Sequence, residues 1–388
     1  MRFLSGDGGG GRRRHRKAIA AALAAALVAA GVAEEGIAQP AVSKAVNRLA
    51  DLQADITGDN AHNGTPDQDL EDGGWDYDVL LSTTEHSATQ SPENTYGVTA
   101  LGLIRAWRRV GRSPRVVITI ADAAGGMLAR PEVDTGVDFA FLLLSGGFLG
   151  DPSYKPEARA RWDAKIASLG GPQPLAESIK NGRHAQGLDG LISWDINLWI
   201  MSAFFLEKSF PGQGYRQQGQ IMAQVIFNDL FSVSPFFDKD DPNESFYTLG
   251  LVGAHLGFRL TRQFAAEAEV IRFNLAMRQD AAGWWSADDG FPGPHVQSTA
   301  WAVTSYYLFQ NDPLYFSVGQ NGSNYLASVQ AMNGGWNLGA STENTEVNGE
   351  AILALSLFPP SSLTGFAAPK PPDAPVFGPG PAAPYIVR

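Results

Sequence analysis

The stretch LASVQAMNGGW, residues 326–336, decides the fold because nearly the same phrase occurs earlier, as LAMRQDAAGWW at residues 275–285. The two align without gaps: a Leu and a Gln lie four positions apart on one helix face, and a Gly and a Trp follow. A looser third copy has Leu49 and Gln53, followed after a polar insertion by Gly73-Gly74-Trp75. Each copy predicts that a helix ends, glycine reverses the backbone, and an indole beside an amide fastens the turn to its neighbour. The chain is therefore expected to be built from repeated helical hairpins.

Two kinds of helix alternate along the chain. Six segments are apolar nearly all round and are predicted to be buried; they begin at Glu93, Val133, Trp194, Asn243, Val296 and Glu346. Six more polar, amphipathic segments lie between them and begin near Val42, Arg115, Glu157, Tyr215, Thr261 and Pro313. Alternation of this kind predicts two concentric rings, with the N-termini of the inner helices at one rim. The expected fold is all-α, a single α6/α6 toroid.

The chain divides into three parts. Residues 1–38 have a basic region followed by an apolar run too short to span a bilayer comfortably, which predicts a cleaved signal peptide and export to the periplasm or exterior. Residues 39–358 carry the toroid, and residues 359–388 form a Pro-rich tail. The run RVVITI at 115–120 is the main competitor for a strand, but ADAAGGMLA continues it, so a helix is predicted there.

Composition excludes several classes of function. The 388 residues include no cysteine, which excludes disulfides, thiolate metal sites and cysteine nucleophiles. The net charge is −11, and it becomes −14 without residues 1–38, which carry six basic and three acidic side chains. A chain this acidic repels polyanions, and we therefore expect no nucleic-acid partner. We also expect no cofactor and no stable membrane span after cleavage; the sequence leaves the oligomeric state open.

The phrase Gln-x-x-x-Gly-x-Trp, at Gln279–Trp285 and Gln330–Trp336, resembles the QW repeat of the terpenoid cyclase and protein prenyltransferase superfamily. This resemblance covers roughly residues 42–358 in layout and implies an α6/α6 toroid with its active site in the central funnel. The prenyltransferase branch uses a cysteine in its zinc site, which this chain lacks. The squalene–hopene cyclase branch carries an Asp-x-Asp-Asp motif, and Asp238-Lys239-Asp240-Asp241 matches it.

By that match Asp240 is the proton donor, with Asp238 and Asp241 beside it. The resemblance then implies an acid-initiated cyclase or isomerase of a polyprenyl substrate, whose cations aromatic faces would stabilise. The inner helices offer candidate aromatic residues for this purpose: Tyr96, Trp194, Trp199, Phe246, Tyr247, Trp301 and Tyr306. The alternative for the acidic motif is a solvated loop whose Asp241 or Asn243 caps the next helix.

A second interpretation starts from the rim. If the inner helices share a rim, their first turns place polar side chains around one mouth; these are Glu93, Asn94, Asp134, Asp195, Asp241, Glu244, His295, Gln297, Glu346 and Asn348. Paired carboxylates among aromatic platforms suit cleavage of a neutral glycan, so an exported glycoside hydrolase or polysaccharide lyase is the alternative. A lyase is disfavoured because no Arg or Lys cluster lies near the inner-helix starts. A non-catalytic binding or scaffold toroid is the third possibility.

Metal and histidine sites have little support in the sequence. His295 lies at an inner-helix start, where a lone His is more often a cap than a base, and His255 is predicted to be a core residue. The acidic segment 59–78 only loosely resembles a calcium loop, so a solvated loop is preferred and no metal site is predicted.

Overall fold

A computed structural model describes residues 40–53, 73–82, 96–129, 136–233, 247–288, 292–337, 342–358 and 360. The helices in chain order are α1 Pro40–Leu52, α2 Tyr96–Ala106, α3 Pro114–Ala129, α4 Asp138–Leu149, α5 Tyr154–Ser168, α6 Pro172–Gln186, α7 Ile192–Ser209, α8 Tyr215–Val233, α9 Thr248–Thr261, α10 Ala265–Met277, α11 Val296–Tyr306, α12 Pro313–Ser328 and α13 Thr345–Leu357. Short 3₁₀ turns at Asp189–Leu191 and Tyr307–Phe309 precede α7 and follow α11.

The six apolar segments form a closed inner ring. Neighbours pack in the order α2, α4, α7, α9, α11 and α13, and α13 returns to pack on α2. The last contact is close because two glycines meet: a Cβ on Gly349 would clash with the backbone of Thr99, and one on Gly102 with the carbonyl of Gly349. The predicted all-α toroid is confirmed, since both faces of each inner helix are buried as the apolar composition requires.

The amphipathic helices α1, α3, α5, α8, α10 and α12 pack outside this ring; α1 packs mainly on α13, at the other end of the chain, and each of the others packs against inner helices that neighbour it in sequence. Their buried residues lie on one stripe, as in α10, where Ala268, Ile271 and Leu275 face inward. The RVVITI run is part of α3, as predicted, because the adjacent alanines extend the helix.

The three repeated phrases make the same set of hydrogen bonds. Each Gln donates to the carbonyl of its own turn glycine and to a carbonyl of the next outer helix: Gln279 Nε2 lies 3.0 Å from both Gly283 O and Val318 O. Each Trp donates its indole N–H to the Leu carbonyl that ends the helix, and Trp285 Nε1 lies 2.7 Å from Leu275 O. The turn glycine has a positive φ, +97° at Gly283, which favours glycine. The predicted role of the phrase as a hairpin fastener is therefore confirmed.

The last copy closes the toroid. Gln330 Nε2 donates to Gly334 O at 2.8 Å and to Ala41 O of α1 at 2.9 Å, which joins the two ends of the described chain. A second closure is a buried ion pair between Arg48 of α1 and Glu343, with Arg48 Nε 2.8 Å from Glu343 Oε1. Glu343 belongs to a short strand, β2, which spans Thr342–Asn344.

Two features differ from the sequence prediction. A two-stranded antiparallel ribbon, β1 Asp78–Leu80 and β2 Thr342–Asn344, lies beside the closing seam, because loops that meet there pair their backbones. The third amphipathic segment, expected from Glu157 to about Ser178, is two helices, α5 and α6, separated by Gly170 and Gly171 with φ of +81° and +117°. Helix α6 has no counterpart in the regular alternation; it packs on α8 and α7.

Candidate functional site

A cavity of about 550 Å³ opens at the N-terminal rim of the inner ring; we call it the rim cavity. The inner helices α7, α9, α11 and α13 and the extra helix α6 all contribute to its wall. Its lining residues are Tyr77, Gly136, Lys165, Ser178, Ile179, Gly182, Arg183, Gln186, Leu191, Trp194, Asp195, Leu198, Trp199, Leu249, Gln297 and Glu346. The wall thus combines indole rings, amides, two cations and two carboxyl groups.

Glu346 lies in the first turn of α13 and is only 4% exposed. Burial raises the pKa of its carboxyl from the usual value near 4.5 to about 8, and the negative charges of Asp138 and Asp195 add to the rise. Asp138 is itself buried and accepts a hydrogen bond from the backbone N–H of Gly97 at 3.0 Å. Glu346 is therefore protonated at neutral pH.

Glu350 lies one turn deeper on the same face of α13 and is 1% exposed. Burial raises its pKa well above the ordinary range and the charge of Glu346 adds to this, while the indole of Trp301 and the amide of Gln297 act against it. Gln297 Nε2 donates to Glu350 Oε1 at 3.2 Å, and Oε2 has no hydrogen-bond partner among the described residues. Gln297 also lines the rim cavity, so it connects Glu350 to the cavity wall.

Asp195, on the first turn of α7, forms an ion pair with Arg183 of α6. Burial raises the pKa of Asp195, and the hydrogen bond and charge of the Arg183 guanidinium oppose that rise. Helix α6 is held over this edge of the cavity by Lys180, whose Nζ lies 3.3 Å from Asp229 of α8. The cavity therefore contains a protonated carboxyl at Glu346 and an ion-paired carboxylate at Asp195.

Aromatic rings provide flat apolar walls beside these groups. Trp194 and Trp199 line the cavity from α7, and Tyr77, 44% exposed, lies at its mouth. Trp301 packs against Trp194, and the centroids of the two rings are 4.6 Å apart. Phe139 and Trp162 pack against Trp199 in the same way, each with its ring centroid 5.8 Å from that of Trp199.

The structure brings together four of the predicted site residues: Trp194, Asp195, Trp199 and Glu346 all line the rim cavity. Tyr96 and Trp301 are buried in the core and do not line it. Tyr247 precedes α9, and a Cβ on Gly190 would clash with its ring.

His295 caps α11, where its Nδ1 accepts a hydrogen bond from Ser298 N at 3.3 Å. Burial lowers the pKa of His295, which agrees with a capping role rather than a charged one. The acidic motif Asp238, Asp240 and Asp241 lies outside the described residues, as does most of the loop at 59–78.

Sequence reasoning missed Arg183, Lys165 and Glu350. The sequence predicts no Arg or Lys cluster near the inner-helix starts, and in the structure Arg183 of α6 and Lys165 of α5 both line the rim cavity. Nothing in the alternating pattern signals a helix folded back over the rim. Glu350 was detectable in principle, since an acid within an otherwise apolar run is a costly residue to bury.

Within the described ranges, no group of three or more acidic or histidine side chains is arranged to hold a metal ion. The same residues include no helix that is both long and apolar enough to cross a membrane.

No protein-family model matches the sequence, and no curated protein matches it either. Solved structures do share its architecture. A protein from Klebsiella pneumoniae, described as a possible member of the GH105 family, superposes with a TM-score of 0.51 and 11% identity over 82% of this chain and 91% of its own. A Salmonella enterica protein described in the same words gives a TM-score of 0.44 at 12% identity, over 82% and 92% of the two chains.

These findings correct the family resemblance inferred from the sequence. The assignment to terpenoid cyclases is wrong, since the toroid that the chain resembles in structure, that of the Klebsiella protein, is described as a possible member of the GH105 family. The hydrogen bonds of the Gln-x-x-x-Gly-x-Trp phrase explain the error: they fasten the phrase's own turn and join it to the next outer helix. The phrase therefore indicates an α/α toroid fold, and it carries no information about the chemistry in the funnel of that toroid.

Proposed function

We propose that this protein is an exported carbohydrate-active enzyme, a glycoside hydrolase that cleaves a glycan in the rim cavity. The observation that carries the proposal is the buried carboxyl of Glu346, whose pKa burial raises to about 8 and which lines the same cavity as the ion-paired carboxylate of Asp195. Glycosidic cleavage needs two carboxyl groups in opposite protonation states, one to protonate the leaving oxygen and one to act on the other side of the sugar. Export rests on the N-terminal sequence alone.

Glu346 is assigned as the general acid. A carboxyl whose pKa lies near 8 holds its proton at neutral pH and still releases it to a developing alkoxide. Asp195 is assigned as the base or nucleophile, because the Arg183 guanidinium stabilises its ionised form. These assignments use two of the acidic residues predicted at the rim.

The walls suit a sugar. Trp194, Trp199 and Tyr77 offer apolar faces for pyranose rings, and Gln186 and Gln297 offer amide groups for hydroxyls. Lys165 and Arg183 also line the cavity, so it accommodates a glycan with an acidic group as well as a neutral one. Hydrolysis uses a proton donor together with a carboxylate, and Glu346 and Asp195 are such a pair in this cavity. Hydrolysis is therefore favoured over elimination.

The fold of the Klebsiella protein agrees with this choice. Its description names a glycoside hydrolase family, and its α/α toroid extends over 91% of its own length in the superposition. At 11% identity this likeness concerns architecture, so the proposal rests on the cavity and the neighbour adds support.

The test is glycan cleavage by the purified full-length chain and by Glu346→Gln. A panel of neutral oligosaccharides and oligosaccharides ending in a uronic acid is incubated with each protein, and the products are separated by chromatography. We expect cleavage of at least one panel member and a loss of turnover of about 10²–10⁴-fold in Glu346→Gln, with binding retained.

Glu267→Gln is the matched control, because Glu267 lies on the outer helix α10, away from the rim cavity. It should cleave at the normal rate. Cleavage that persists in Glu346→Gln, or a panel from which nothing is cleaved or bound, contradicts the proposed function.

A further inference from the structure

A second pocket, of about 260 Å³, lies at the opposite end of the inner ring; we call it the lower pocket. It is formed by the C-terminal ends of α7 and α9 and the N-terminal turn of α8, whereas the rim cavity uses the N-terminal ends of the inner helices. Its lining residues are Ile200, Phe204, Glu207, Lys208, Pro211, Tyr215, Arg216, Gly219, Leu260, Thr261 and Arg262. The two sites share no residue, so the lower pocket has no part in the chemistry proposed above.

Three cations surround the lower pocket: Lys208, Arg216 and Arg262. Within the part of the chain that the structure describes, neither arginine has a carboxylate within ion-pair distance. The cations also repel one another, since the charges of Arg262 and Arg216 add to burial in lowering the pKa of Lys208. Such a cluster is unexpected in a chain of net charge −11.

The acidic side chain of this pocket is already engaged. Glu207 Oε1 accepts from the backbone N–H of Gly212 at 3.2 Å, and its Oε2 accepts from the N–H of Arg216 at 3.3 Å. Glu207 thereby caps the approach to α8, and its carboxylate is oriented by the backbone rather than by the three cations. Among the described lining residues, one acid faces three bases.

Arg216 is the most informative of the three. Lys208 and Arg262 lie at the C-terminal ends of α7 and α9, where the helix dipole favours a cation, so their charges there have an ordinary explanation. Arg216 lies in the first turn of α8, where the dipole disfavours a cation and no acid is present in that turn. An anion in the pocket would face the N-terminus of α8 and all three cations together.

The rest of the wall is apolar. Ile200, Phe204 and Leu260 line it, and Lys208 Nζ lies 5.4 Å from the centre of the Phe204 ring. A free phosphate or sulfate would leave this surface uncovered, whereas an acid with a hydrocarbon or aromatic body would cover it. We propose that the lower pocket binds a small organic anion, with its acidic group among Lys208, Arg216 and Arg262 and its apolar body against Ile200, Phe204 and Leu260.

The test is calorimetric titration of the full-length protein with naphthalene-2-sulfonate, an anion with a flat apolar body. We expect saturable binding that weakens as salt is raised, because exposed charges are screened. Arg216→Gln and Arg262→Gly should each reduce affinity about fivefold, the effect of losing one exposed charge pair. Glycine is chosen at position 262 because its φ of +61° favours glycine, so this variant is not expected to lose stability.

Lys155→Gln is the control, since it removes an exposed positive charge from α5 at a distance from both pockets. It should bind the sulfonate normally. Equal binding of uncharged 2-naphthalenemethanol, unchanged affinity in both arginine variants, or no binding at millimolar concentration would each overturn the proposal. Because the arginine variants leave the rim cavity intact, glycan cleavage in them should be normal, which separates this proposal from the proposed function.

Discussion

Two buried acidic residues lie four positions apart on α13, and the first of them, Glu346, is the proposed general acid. Glu346 and Glu350 lie on the same face of α13, and both are buried. Their protonation cannot be predicted from the sequence, because it depends on how completely the other inner helices exclude water. The same limit explains why Trp194, Asp195 and Trp199 were foreseen at the site while Tyr96 and Trp301 proved to be core residues.

The raised pKa of Glu346 predicts how stability changes with pH. In the unfolded chain this carboxyl loses its proton near its ordinary pKa of 4.5, but in the folded chain it keeps the proton to about 8. The unfolded state therefore binds fewer protons between these values, and the free energy of unfolding should fall as pH rises from 4.5 to 8, with a slope approaching about 1 kcal/mol per pH unit. Urea denaturation at a series of pH values measures this slope.

Glu346→Gln should flatten the dependence over that window, because a neutral amide replaces the neutral acid without titrating. Glu350→Gln should also reduce the slope, since burial raises the pKa of Glu350 too. Slopes in the variants equal to that of the unaltered protein would show that neither carboxyl is protonated in the fold, and the general acid would have to be sought elsewhere.

At the scale of elements, the hydrophobic pattern of the sequence predicts the helices of the two rings, but it does not predict helix α6. The alternation of apolar and amphipathic segments predicts all six inner helices, because a helix apolar all round has no stable place except a core. Helix α6 breaks the alternation, and its sequence, PQPLAESIKNGRHAQ, is too polar to reveal where it packs. Its position over the rim is set by few contacts: the polar pairs Lys180–Asp229, Arg183–Asp195 and His184–Asp189, and two buried side chains.

Those few contacts predict that α6 is the least protected helix around the cavity. Only Leu175 and Ala176 are buried in it, so local opening costs less than opening of α7, which is buried on most sides. Amide hydrogen exchange followed by mass spectrometry should show faster exchange in 176–186 than in 196–206. A bound glycan that contacts Arg183 or Gln186 should slow exchange in α6 and leave the outer helix α10 unchanged. Equal protection of α6 and α7 without ligand would contradict this account.

At the scale of the whole molecule, the toroid is a chain whose two ends must meet. Closure depends on Gln330 and on the Arg48–Glu343 pair, both of which join α1 to the last hairpin. The sequence predicts the hairpin fastener from its repeats. It does not predict the ion pair, because Glu343 and Arg48 lie 295 positions apart and neither belongs to the repeated phrase.

Two glutamines make the same local contacts, so comparing them separates the effect of closing the toroid from the effect of losing those contacts. Gln279 and Gln330 each donate two hydrogen bonds to backbone carbonyls, but only Gln330 links the first and last hairpins. Gln279→Ala and Gln330→Ala should each lower the free energy of unfolding by about 1–3 kcal/mol, the cost of leaving such carbonyls without donors. Gln224→Ala, on the exposed face of α8, should change it little.

The two core variants should differ in where the structure loosens. Loss of Gln330 removes a hydrogen bond to Ala41, so α1 is joined to the last hairpin by fewer contacts, the Arg48–Glu343 pair among them, and amide exchange in residues 42–52 should accelerate. Loss of Gln279 should instead accelerate exchange in α10 and α12, which that residue joins. If both variants loosened the same helices, the toroid would open as one unit, and no single seam would hold its ends together.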